Sequence, residues 1–294
     1  MRNNFQRTFI PGSEWFYVKI YCSSNSANKI LTNELSRALQ FLKRENKFQK
    51  WFFVRYSDPY FHLRLRILLS QPQDFSVVSD QIYKKLNPLI KQGIIYKIQF
   101  DTYSREVERY TEKLMELSES LFHIDSVYTM KLLELGIKNS FHEDSNWKCS
   151  LRMIDDLLSV FGYNNNLKLE LSKFLDVSFK SEFGFDKANP KQLNDLYRKY
   201  KPEIEQLFID VSYYNSLVFK KTLNARKLAM QPIAKKIMEE ISKGDKIPID
   251  SYIHMMMNRL FPSRNRAYEL IVYSFLYSFY NGVVARDKSN SNKL

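Results

Sequence analysis

The chain has 294 residues, 44% apolar and 15% aromatic, so it can bury a sizeable core and is not a disordered segment. Lys and Arg outnumber Asp and Glu by 45 to 32, and the resulting +13 favours acidic partners without choosing among nucleic acid, an anionic membrane and an acidic peptide. Gly is scarce at 7, and no Walker loop, GxGxxG, HExxH, CxxC or GxSxG occurs, which removes the usual vehicles of nucleotide and metal chemistry. Cys22 and Cys149 have no zinc or redox spacing and are expected as free thiols. The N-terminus lacks an apolar signal core and no stretch approaches the roughly 18 apolar residues of a membrane span, so a cytoplasmic location is expected.

In chain order, residues 14–21 are β-rich, and Ile30, Leu31, Leu35, Ala38, Leu39 and Leu42 then fall at helical spacing. Residues 51–69 read as a hairpin. Trp51–Tyr56 is aromatic and β-branched, Phe61–Leu69 alternates, and Asp58-Pro59 sits between them. Val77, Val78, Ile82, Leu86 and Leu89 predict a helix ending near Gly93, followed by a strand over 94–100. The order βαββαβ predicts a split βαβ, ferredoxin-like layer, mainly antiparallel. From Tyr103 onward the pattern is helical, with no strong strand, a polar loop at 180–190, and a long helix at 202–243 bent near Pro232. Asp250 or Ser251 is the expected cap of a helix carrying Tyr252, His254, Asn258 and Arg259, and a final helix covers 264–284. The expected fold class is therefore α+β, in one domain over 1–286: a sheet layer to about residue 103, a largely helical part over about 104–286, and a disordered tail at 287–294.

Three groupings carry chemical interest. Side chains in a strand repeat every two residues, so His62, Arg64 and Arg66 share one face, with Leu63, Leu65 and Ile67 on the other. Two adjacent guanidiniums repel unless an anion or a carboxylate lies between them, and their forks suit a carboxylated substrate; pairing with acids of a neighbouring strand is the plainer reading. Arg105 and Arg109, four apart after Tyr103, share a face if both are helical, where Glu106 and Glu108 offer ordinary surface ion pairs. His254 lies four residues after Asp250 and four before Asn258, either of which could orient it as a general acid or base. His123 and His142 read as structural or surface residues.

Taken together, Pro11–Trp15, Trp51–Pro59, His62–Arg66, Phe100–Tyr110 and Ser251–Arg259 resemble, in order and over nearly the whole chain, the thiopeptide-type bacteriocin biosynthesis family. This is the C-terminal elimination domain of class I lantibiotic dehydratases, also found as a stand-alone protein. In that family a partner domain or protein esterifies Ser or Thr of a precursor peptide with glutamate from glutamyl-tRNA, and the elimination domain expels the glutamate to leave dehydroalanine or dehydrobutyrine. The resemblance implies catalytic roles for Arg64, Arg66, His254 and one of Arg105 and Arg109. It also implies substrate contacts around Arg55, His62, Tyr103, Asn258 and Arg259. No metal and no organic cofactor are implied. The implied partners are a glutamylated precursor peptide, leader and core, and a separate glutamyl-tRNA-dependent glutamylation protein, with no direct contact to nucleic acid. A homodimer and docking on a membrane-associated biosynthetic complex stay open. One departure is that the family follows the ERY triplet with two glycines, whereas Thr111-Glu112 stands here.

The resemblance therefore implies a lyase for a glutamylated peptide, and the residues fit that chemistry, since guanidiniums can stabilise both the enolate and the departing carboxylate. The nearest rival is a pyridine synthase that joins two dehydroalanines. Another is a non-catalytic leader-peptide module that adds a strand to its sheet. Nucleic-acid binding rests on charge and aromatic content alone, without a recognition motif.

Overall fold

The computed structural model describes residues 5–138, 146–184, 190–209, 217–241 and 246–291. Its first part contains β1 (Thr8–Phe9), β2 (Trp15–Cys22), and α1 (Ser24–Lys29) running through a π-helical segment, Ile30–Leu35, into α2 (Ser36–Arg44). Then come β3 (Phe48–Ser57), β4 (Phe61–Leu69), α3 (Phe75–Lys91), β5 (Ile95–Phe100) and β6 (Tyr103–Ser104). Strands β2 to β5 form an antiparallel sheet in the order β3-β4-β2-β5, as expected for the split βαβ arrangement. Two short strands went unnoticed in the sequence, because β1 and β6 pair over only two residues each, Thr8 with Ser104 and Phe9 with Tyr103.

Directly opposed residues of an antiparallel ladder share a face. One face therefore carries the rows Tyr17–Arg66–Phe52, Lys19–Arg64–Val54 and Tyr21–His62–Tyr56. The other carries Phe16, Val18, Ile20, Phe53, Leu63, Leu65 and Ile67, all buried. Helix α3 packs on that apolar face, with Phe75 5.1 Å from Phe16 between ring centroids. Strand β3 is an edge, whose outward peptide groups need partners. Ser126 Oγ accepts from Phe53 N–H at 3.2 Å, and His123 Nδ1 lies 2.8 Å from Trp51 O. The Asn258 amide takes both peptide groups of Arg55, at 2.9 and 2.8 Å.

The remaining elements are α4 (Val107–Lys138), α5 (Asn146–Val160), α6 (Asn165–Glu182), α7 (Pro190–Ile209), α8 (Leu217–Glu240), α9 (Ile249–Leu260) and α10 (Asn265–Ser291). This gives the α+β organisation expected, a sheet layer first and helices after. Helix α4 lies along β3 and α8, and α10 along α6. Several local readings need correction. The helix expected from Pro202 begins at Pro190 and passes through Pro202 in α7, and α8 covers Leu217–Glu240, with 210–216 outside the described residues; of the expected 180–190 loop, 180–182 still belongs to α6 and 185–189 lies outside the described residues. Helix α9 starts at Ile249 after Pro248, without a side-chain cap, so neither Asp250 nor Ser251 caps it. The tail expected to be loose from 287 is helical through Ser291. Arg105 and Arg109 do not share a helix face. Arg105 precedes α4, its backbone N–H donating to Arg7 O at 2.9 Å, and Arg109 sits in the first turn.

Candidate functional site

Arg64 and Arg66 project from β4 without an acid opposite them. The cross-strand neighbours of Arg64 are Lys19 and Val54, and those of Arg66 are Tyr17 and Phe52. Pairing with acids of a neighbouring strand is thus not what the register provides. Aromatic rings support the charges instead. The Arg64 guanidinium stands 3.4 Å over the Tyr56 ring, and Arg66 lies 4.7 Å from Tyr17, 4.8 Å from Tyr103 and 5.4 Å from Phe52. A ring face stabilises a cation while leaving its in-plane N–H groups for an anion. Both arginines are half-buried, and Arg66 Nε is buried with no hydrogen-bond partner.

Two polar neighbours set the direction of this row. Arg64 Nε donates to His62 Nε2 at 3.1 Å, so the imidazole proton sits on Nδ1 and is donated to Tyr60 O at 2.8 Å. Burial first, then the charges of Arg64 and Lys19, lowers the His62 pKa, which keeps the ring neutral and an acceptor. His62 therefore holds Arg64 in place. Lys19 is ion-paired with Asp101. Burial opposes the charge of Asp101, but its bonds to Lys19 and Thr102 N–H outweigh that and hold its pKa below the usual value.

Beside Arg66, Tyr103 donates to Glu119 Oε1 at 2.9 Å. Burial and the Glu119 charge raise the phenol well above its ordinary range, so it stays protonated. Arg105 closes on the same carboxylate with two bonds, Nε to Oε1 at 2.7 Å and Nη2 to Oε2 at 2.9 Å, and Nη1 donates to Gln6 O at 3.0 Å. Its donors are committed to the protein. Arg109 is exposed, with Glu106 at 3.7 Å. Its neighbour Tyr110 stacks on Tyr252 of α9 at 5.7 Å, which holds the first turn of α4 against the helix that bears His254.

His254 Nδ1 lies 2.7 Å from Glu269 Oε1 on α10, so its orienting partner is neither Asp250 nor Asn258. Glu269 is fully buried and also accepts from Tyr273 Oη at 3.2 Å and from Arg266 Nη1 at 2.9 Å. With Glu269 Oε1 accepting from Nδ1–H, the Nε2 lone pair is left available, the arrangement a general base needs. The His254 side chain retains 35% of its surface.

The remaining expected contacts are engaged within the fold. Arg55 points into the helix-covered side, with Nε on Arg259 O at 2.9 Å and Nη2 on Asn28 Oδ1 at 2.6 Å. Arg259 is 1% exposed and donates to Phe53 O and to Asp125 Oδ2, at 3.0 and 3.1 Å. Asn258 is the strand clamp already described. Three residues escaped sequence reasoning. Lys19 belongs to the cation row, and its parity with Tyr17 and Tyr21 was visible, but only the register sets it opposite Arg64. Glu269, an acid inside an otherwise apolar stretch, and Glu119 had no spacing signal linking them to His254 or Arg105. Neither cysteine is a nucleophile: both are buried, and burial pushes the Cys22 thiol up to about 11.

The sheet thus presents Arg64 and Arg66 with no acid across the ladder, and a separate His254–Glu269 pair lies between α9 and α10. The model of the lantibiotic biosynthesis dehydratase C-terminal family matches residues 15–280, and the chain belongs to that family. It is 31% identical over 279 residues to the nisin biosynthesis protein NisB of Lactococcus lactis subsp. lactis, covering 92% of this chain and 26% of that protein. The chain thus spans about a quarter of the curated relatives it matches. Its fold is similar to that of the tRNA-dependent lantibiotic dehydratase MibB from Microbispora sp. 107891, with a TM-score of 0.72 and 20% identity over 94% of this chain and 29% of that one. It is also similar in fold to the pyridine synthase TbtD from thiomuracin biosynthesis, with a TM-score of 0.66 and 9% identity over 92% and 99%.

Proposed function

We propose that the chain is a lyase that expels glutamate from a glutamylated Ser or Thr of a ribosomal precursor peptide, leaving dehydroalanine or dehydrobutyrine. The observation that carries this reading is the pair Arg64 and Arg66, half-buried, supported by rings and without a carboxylate across the ladder. Family membership supports it for the class of reaction. On this reading the two guanidiniums bind the glutamyl carboxylates and stabilise charge at the reacting ester. Arg109 is the second-motif arginine that reaches substrate, because Arg105 is engaged with Glu119.

His254 Nε2 takes the α-proton, and the Cα–H electron pair is held in an enolate with the adjacent peptide carbonyl. That pair becomes the Cα–Cβ double bond as the Cβ–O bond breaks and its electrons leave with glutamate as a carboxylate. The imidazolium, stabilised by Glu269, returns its proton to solvent. The ester is supplied by a glutamyl-tRNA-dependent glutamylating component, which is the partner this chemistry requires.

The test is mass spectrometry of a leader-bearing peptide with one glutamyl-Ser ester, incubated with the protein. Wild type should release intact glutamate and leave dehydroalanine. Arg66→Ala, Arg109→Ala and His254→Ala should each slow this by about 10²–10³-fold with unchanged thermal melts. Undiminished elimination by these variants would remove the site assignment. An untouched ester, with ring formation from a peptide holding two dehydroalanines, would replace the reaction by pyridine synthesis.

A further inference from the structure

We infer that the tyrosines around the β3–β4 turn and the β5 bulge form a subsite for an apolar or aromatic residue that flanks the reacting residue in an extended peptide; this rests on the proposed reading of Arg64 and Arg66. Three of the exposed large side chains gather in this one place: Tyr56 at 42%, Tyr60 at 66% and Tyr96 at 57% of their full exposure. Single exposed aromatics are ordinary, whereas a contiguous group marks a contact surface.

The group is built, and each member has a structural cause. Tyr56 belongs to the row Tyr21–His62–Tyr56, with the His62 ring 4.7 Å from Tyr21 and 5.8 Å from Tyr56. Tyr60 lies in the turn and is fixed through its carbonyl by His62 Nδ1. Tyr96 is the extra residue of a bulge, since Tyr21 pairs with Lys97 and Cys22 with Ile95. A bulge redirects the side chain it leaves unpaired, and the Tyr96 ring stands 5.9 Å from that of Tyr21.

Charge decides what this surface accepts. The Tyr56 ring already carries the Arg64 guanidinium, and Lys97 Nζ lies 5.1 Å from the Tyr21 ring. A basic flanking residue would meet these cations, so apolar and aromatic side chains are favoured over Lys or Arg. Continuity with Arg64 sets the register. Consecutive residues of an extended chain advance by about 3.5 Å, so a peptide whose modified residue is held at Arg64 lays its next one or two residues on these rings.

The test is binding, measured by fluorescence anisotropy with dye-labelled peptides in which a glutamyl amide of diaminopropionate replaces the labile ester. Two peptides differ only in carrying Phe or Lys beside that position. Wild type should bind the Phe peptide about tenfold more tightly than the Lys peptide. The double variant Tyr60→Ala/Tyr96→Ala, altered only at exposed positions, should reduce that preference to about twofold or less with an unchanged thermal melt. An equal preference in wild type and variant, or none in wild type, overturns the subsite. Elimination from the ester peptide is scored separately. Its failure beside an intact aromatic preference would overturn the reaction and leave the subsite standing.

Discussion

Arg64 takes its direction from Tyr56 and His62, and no acid stands opposite it. The same economy holds at His254, where one carboxylate sets the tautomer. Glu269→Gln keeps the size of that group but removes its charge; if the chain is the lyase proposed above, kcat for elimination should fall about 10²–10⁴-fold with KM nearly unchanged, read from steady-state kinetics on the ester peptide. A purely structural role for Glu269 would instead lower the melting temperature and leave kcat intact. Buried neutral imidazoles also make stability depend on pH. Burial, then neighbouring charges, lowers His62 below its ordinary 6.5; burial, with Lys43 and Lys50, does the same for His123. Between those lowered values and 6.5 the unfolded chain binds more protons than the folded one, so this stability is present above 6.5 and is lost as pH falls through the folded pKa values. Urea midpoints should therefore drop between about pH 8 and about pH 5, and His123→Gln should flatten that drop.

Among the elements, the start of α4 is the unusual one. Thr111 has φ 57° and ψ 157° inside the helix, a region that only glycine enters without strain. This is the position where the family carries glycine, so the departure read in the sequence becomes a backbone cost. Thr111 Oγ1 partly compensates by accepting from Leu114 N–H at 3.4 Å, as a cap would. Thr111→Gly should stabilise the protein by a net ~1 kcal/mol, measured as a higher urea midpoint at constant m-value, because strain relief exceeds the lost cap and the added chain entropy. No gain would mean that the turn carries little strain. The same turn explains why spacing misplaced the second arginine pair. Four residues apart implied one helix face, but Arg105 still belongs to the extended segment after β6, and only Arg109 is helical.

At the scale of the molecule, Asp125 joins the sheet to the helices. It accepts from Arg226 of α8 at 2.7 and 3.0 Å and from Arg259 of α9 at 3.1 Å, while Arg259 also donates to Phe53 O of β3. Asp125→Ala would leave two buried guanidiniums without their carboxylate and should cost about 3–5 kcal/mol in chemical unfolding. A loss below about 1 kcal/mol would show that the hub is solvated and not a joint. The sequence by itself determined the strand and helix periods of the first hundred residues, the antiparallel layer, and the common face of His62, Arg64 and Arg66. Those features follow from alternation and from turn residues a few positions apart. Tertiary structure alone decided which polar groups are engaged within the fold and which are not. Asn258 and Arg55 are 203 residues apart yet share two hydrogen bonds, and Glu269 reaches His254 from another helix. No local period encodes such pairings, because they form only when separate elements pack and every buried donor must find an acceptor.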